Sequence, residues 1–179
     1  MRLQNRTLAC LKTHSKALRF LSSFTLIFGV FYFLFNVVIG GWFDIFRPFL
    51  TFQAKAVATI INNLFGAAAW AESNVVHSPS NSMKIIRGCD GIEALSFFVS
   101  GVLAFPTSGR AKLIGTAMGI TLIQGLNIAR LVLLYYSGLY FPSIFEEAHI
   151  YVGQALVILF TTAIFIFWLE RFAIGHRQA

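Results

Sequence analysis

Charge is scarce in this chain. Only 12% of its 179 residues are Asp, Glu, Lys or Arg, about half the share that soluble domains carry. Acidic residues are scarcest, 7 against 14 basic. Such low charge beside 57% hydrophobic residues excludes a disordered chain and an ordinary soluble domain. Two cysteines exclude a disulfide scaffold. Four prolines and 14 glycines without a repeat exclude a collagen-like one. The sequence holds no metal-ligand cluster, phosphate loop or cofactor fingerprint. Neither a metal nor a cofactor is therefore expected.

What is present is lipid-loving. Mean hydropathy is +0.73, and 20 residues are phenylalanine. The net charge of +7 and pI near 9.9 match part of a nucleic-acid footprint. Here, however, the basic residues stand between long apolar runs, which is the pattern of membrane topology. No nucleic-acid partner is expected.

The expected fold is a single all-α integral membrane domain with about four spans. Residues 20–40 carry no charge and are long enough to cross a bilayer; Arg2, Arg6, Lys12, Lys16 and Arg19 precede them. The run is too long for a signal-peptide core, and no A-x-A site follows it, so it reads as an uncleaved span. Residues 91–106 form a short second span, 113–138 the third and 149–169 the fourth. Residues 170–179 are a basic tail.

Two segments differ. In residues 43–70, Asp44, Arg47, Thr51, Lys55, Thr59, Asn62 and Asn63 recur mostly at three and four. Phe46, Phe49, Leu50, Val57, Ile60 and Leu64 fall opposite. This predicts an amphipathic helix lying in the interface or covering the bundle. In residues 73–88, Val75, Val76 and His77 and then Met83 to Ile86 flank a Ser/Pro/Asn turn, which predicts a small β-hairpin. Lys and Arg collect on the cytoplasmic side of a membrane. Four spans put the basic N-terminus, Arg110, Lys112 and the tail inside, and the amphipathic helix and hairpin outside. Were 43–70 a span, the basic turn and tail would face outward.

That topology brings three reactive groups to one outer layer. Cys89 precedes the second span, Arg130 lies within the third, and His149 opens the fourth. Each has an ordinary explanation alone: a packing thiol, a snorkelling arginine and an interfacial histidine. Together they read as a site. Cys89 sits in RGCDGIEA between Gly88 and Gly91. Cys10 is cytoplasmic in this topology and is no disulfide partner. A helix N-terminus and nearby Arg87 are expected to favour the nucleophilic thiolate. An arginine deep in a span costs roughly 2.5–3.5 kcal/mol. Asn127 and Gln124 continue its face inward, so the stripe should face the bundle. Asp90 and Glu93 fit a D-x-x-E capping box, and Ser143 and Glu146 fit S-x-x-E. Glu93 shares a face with Ser96 and Ser100 and can meet Arg130. Gly115 and Gly119 are a small-xxx-small pair.

In this set the chain resembles the exosortase/archaeosortase family, most of all its compact type H members. The family carries Cys-x-Gly at the outer end of a span, Asn-x-x-Arg in a later one and a His opening the next. Here these are Cys89-Asp90-Gly91, Asn127-Ile128-Ala129-Arg130, and His149 followed by Gly153. The resemblance covers residues 83–167. Asp90 departs from it, since many members have a small hydroxyl residue there.

The resemblance implies a membrane-embedded cysteine transpeptidase, or thiol protease, of the bacterial cytoplasmic (inner) membrane, with its active site on the outer, periplasmic side. Its partners would be proteins with a C-terminal sorting signal: a short motif, a transmembrane helix and a basic tail. The acceptor would be lipid- or glycan-linked. Cys89 would form a thioester. Arg130 would stabilise the oxyanion or bind a substrate carboxylate. His149 would act as acid and base or pair with the thiolate. Asn127, Arg87, Asp90, Gly91 and Glu93 would support them. Two other classes remain: a small transporter or channel lined by Arg130, Asn127 and Gln124, and a subunit whose Arg130 meets a partner's charge.

Overall fold

The computed structural model describes residues 2–39, 46–145 and 148–174. Asp44, Glu146, Glu147, His176 and Arg177 lie outside these, and so does the expected Ser143–Glu146 cap. The side chain of Cys10 is likewise outside the description.

Helix α1 spans Arg2–Phe33 and continues as a π-helical segment over Leu34–Ile39. Helix α2 is Phe46–Phe65, followed by strands β1 (Trp70–Glu72), β2 (Val75–His77) and β3 (Ser82–Lys84). Helix α3 is Ile92–Ala104 and α4 is Gly109–Tyr140. A π-helical turn, Ala148–Val152, leads into α5, Gly153–Trp168, and a second one, Leu169–Ile174, ends it.

Three described stretches are long and apolar enough to cross a membrane: Ser15–Asn36, Gly109–Tyr140 and His149–Ile174. The protein is therefore a membrane protein with several spans. The fourth expected span, α3, is apolar but only 13 residues long, or about 20 Å at 1.5 Å per residue. The apolar window of α1 buries nothing inside the protein. Leu21, Leu26 and Val30 are all more than half exposed, as lipid-facing side chains are. Phe24 and Phe28 meet Phe97 of α3 edge to face, with centroids 5.1 and 5.7 Å apart.

Helix α2 is amphipathic and is not among the candidate spans. Its buried face is Leu50, Gln53, Ala54, Val57, Ala58 and Ile61, turned from the expected one. Leu64 is 73% exposed. The reason is steric: Ala54 and Ala58 let α2 approach its neighbours closely, which larger side chains would prevent. It stops at Phe65, short of the expected Trp70. Asn62 clasps the chain beyond, donating to Ala69 O and accepting from Ala69 N, both at 2.7 Å.

The expected hairpin is β2–β3. Strand β1 extends it to a three-stranded antiparallel sheet in the order β1-β2-β3. Val76 pairs with both Ala71 and Met83. The β1–β2 turn is tight, with Ser73 at φ 53°. A serine carries that left-handed angle less readily than glycine, which hid the turn from the sequence. Asn81 Nδ2 donates to Tyr135 O at 3.1 Å and ties the sheet to α4.

Two apolar clusters form the core. One joins Val57 and Ile61 of α2 to Val76, Ile85, Leu131 and Tyr135. The other joins Phe98 and Val102 of α3 to Ile123 and Trp168. On α4, residues 124–130 lie between the two, and that interval carries the polar stripe.

Candidate functional site

The site begins with a loop that cannot be helical. Gly88 has φ 87° and Gly91 φ 75°, angles that residues carrying a Cβ resist. The backbone turns twice within four residues and sets Cys89 and Asp90 inside, 6% and 4% exposed. Cys89 N donates to Ile86 O at 3.1 Å. Gly91 is also a packing gauge, because a Cβ there would stand 3.0 Å from Asn127 Cβ.

Three elements converge on the loop. The π-helical turn before α5 brings His149 Nε2 to 3.2 Å from Cys89 Sγ. Phe145 stacks on the imidazole at 6.0 Å and 26°. One turn on, Gly153 lies under Arg130, and a Cβ there would be 2.7 Å from Arg130 Nε. From α4, Asn127 Nδ2 donates to Cys89 O at 2.9 Å. From α2, Gln53 Nε2 donates to Asp90 O at 2.8 Å and to Gln124 Oε1 at 3.2 Å. Cys89, Arg130 and His149 are thus brought together, with Asn127 beneath them and the Gln124–Asn127–Arg130 stripe facing the bundle.

The other expected supports sit differently. Arg87 Nη2 donates to Asn36 Oδ1 at 3.0 Å, and its guanidinium lies 6.0 Å from the Phe46 ring centroid. It braces the end of the α1 segment, and the cation acting on Cys89 is Arg130. Asp90 Oδ1 accepts from Ile92 N at 3.0 Å. The N-cap position itself is Gly91, so the D-x-x-E box is replaced by this shorter turn. No ion pair joins Glu93 to Arg130 among the described residues. Both instead line one cavity.

Electrostatics correct a further expectation. Burial pushes the Cys89 thiol up, Arg130 opposes that, and the Asp90 carboxylate adds to it. Desolvation thus outweighs the guanidinium, and the balance of these three effects disfavours the thiolate. Asp90 is itself raised by burial, against the Ile92 N–H that favours its ionised form.

Beside the loop is a cavity of about 430 Å³, walled by Gly88, Gly91, Glu93, Arg130, Gln154 and Thr161 among others. Its lower wall shares Phe97 and Thr161 with an apolar cavity of about 370 Å³ beneath α1. Gln53 and Phe145 were missed from sequence. A glutamine on the apolar side of an amphipathic helix is the signal that marks the first; a ring one helical turn before His149 marks the second.

A thiol and an imidazole in contact beside a guanidinium, in a chain with several membrane spans, form a candidate thiol site. The chain belongs to the transmembrane exosortase family (Exosortase_EpsH), which it matches over residues 18–169. Membership implies a transpeptidase. No curated protein and no solved structure matches the chain.

Proposed function

We propose that the protein is a cysteine transpeptidase that cleaves C-terminal sorting signals and passes the new C-terminus to an acceptor. The 3.2 Å contact between Cys89 Sγ and His149 Nε2, in a chain of this family, carries the reading. In contact with the sulfur, the His149 imidazole acts as the general base. It takes the Cys89 proton as sulfur attacks the scissile carbonyl. Arg130 faces the 430 Å³ cavity and supports the oxyanion, a role often worth about 2.7–4 kcal/mol per donor. The C–N bond then breaks, and the leaving amine takes the proton from His149. The acceptor's nucleophile gives a proton back to His149, attacks the thioester and releases the Cys89 sulfur, which is reprotonated.

The orientation belongs to this proposal: N-terminus inside, site on the outer side of a bacterial inner membrane. A 20 Å helix α3 falls short of a hydrocarbon core of about 30 Å. The nucleophile loop at its start would then be recessed, close to where a substrate's own transmembrane helix begins. The stripe Gln124–Asn127–Arg130 supports the loop in this reading and lines no passage. The test is processing of a tagged sorting-signal substrate. Cys89→Ala should abolish it with membrane insertion intact, and a substrate mimic should be trapped as a thioester on Cys89. Undiminished processing by Cys89→Ala would sink the proposal.

A further inference from the structure

We infer that Gln53 is a positioning residue for Cys89, acting on the nucleophile loop across its contact with α2; this rests on the reading of Cys89 as the nucleophile. Loop backbone that leaves regular structure must still satisfy its buried carbonyls. Here two successive carbonyls, Cys89 O and Asp90 O, receive side-chain amides from opposite helices. Asn127 Nδ2 takes the first at 2.9 Å. Gln53 Nε2 takes the second at 2.8 Å. Asn127 holds the peptide plane that flanks the Cys89 Cα and Gln53 holds the next one, so the two amides together fix how the loop presents Cys89 to His149.

Packing does not explain a glutamine at this position. Gln53 is 1% exposed on a face otherwise made of Leu50, Ala54, Val57, Ala58 and Ile61. Its Oε1 is buried with no hydrogen-bond partner among the described residues, which disfavours an amide there. An apolar side chain of the same length would fill the space without that penalty. What only the amide supplies is N–H, and its bonds to Asp90 O and Gln124 Oε1 both use the donor end. Helix α2 is then part of the catalytic apparatus rather than a cover.

The test uses full-length protein in membranes with a sorting-signal substrate. Gln53→Met keeps the length and removes the N–H. Its kcat should fall, on the order of 100-fold for a reacting atom misplaced by about 1 Å, with KM and thermal stability near the parent's. Gln53→Glu restores a donor only when protonated. Its activity relative to the parent should therefore rise as pH falls. Parent-like kcat in Gln53→Met overturns the inference, and so does a Gln53→Glu deficit that is the same at every pH. Should Gln53→Met fail to accumulate, the pH profile of Gln53→Glu decides alone. Cys89→Ala is run in parallel. If it still processes substrate, the nucleophile reading has failed; if it is dead while Gln53→Met is normal, only the role of Gln53 has.

Discussion

At the scale of residues, Cys89 is governed by opposing effects of known sign. Burial and Asp90 raise its thiol, and Arg130 lowers it. Alkylation of Cys89 by iodoacetamide should therefore reach half-maximal rate at a more alkaline pH than an exposed cysteine. Arg130→Gln removes the lowering charge and should move the profile further alkaline. Asp90→Asn removes a raising charge, keeps an acceptor for Ile92 N, and should move it back. Profiles that shift the opposite way would refute this electrostatic account. Gly153 makes a steric counterpart. A methyl there would stand 2.7 Å from Arg130 Nε, so Gly153→Ala must displace the guanidinium. Processing should drop by about 10- to 100-fold, with insertion and protein level unchanged on immunoblots.

At the scale of elements, α4 is the spine that both cores and the site share. Its small residues set how closely partners approach. Gly115 faces Trp168, whose Nε1 would lie 2.4 Å from an added Cβ, and Gly119 faces Phe98 at the same distance. Trp168 Nε1 also donates to Ala111 O at 2.9 Å. Gly115→Leu should therefore destabilise by about 1–3 kcal/mol, the usual range for overpacking, seen as a lower melting temperature in detergent. Gly125 has nothing within 4 Å of an added Cβ, so Gly125→Ala should leave that temperature near the parent's. The pair Gly115/Gly119 was legible as small-xxx-small. Its partners were not, because Trp168 and Phe98 come from other helices. The same holds for α2: its period was legible, but which of two adjacent faces turned inward depended on Ala54 and Ala58 approaching α4 and the sheet.

At the scale of the whole molecule, the charge pattern and the fold make a joint claim about orientation. Single cysteines in a background with both Cys10→Ser and Cys89→Ala test it. Ser80→Cys lies in the exposed β2–β3 turn and Gly109→Cys at the exposed start of α4. A membrane-impermeant maleimide added to intact cells should label the first and spare the second. The reverse pattern would invert the topology and place the site in the cytoplasm. Two apolar clusters with a polar layer between them also explain how so hydrophobic a chain keeps a specific site. The clusters fix the helices, and the amides of Gln53, Gln124 and Asn127 fill the gap between them.

Composition and periodicity alone determined that this chain lives in a membrane, and the topology read from its charges led to the expectation that Cys89, Arg130 and His149 meet. Those properties follow from transfer energies and residue spacing, which act locally along the chain. The tertiary structure decided what local rules cannot reach. It turned Arg87 to the end of α1 and left Arg130 as the cation on Cys89. It replaced the expected capping box by a turn at Gly91, added β1 to the hairpin, and drew Gln53 from a covering helix to the loop that carries Cys89. Each depends on which surfaces are brought into contact across tens of residues, where desolvation and hydrogen-bond satisfaction are settled by neighbours from other elements.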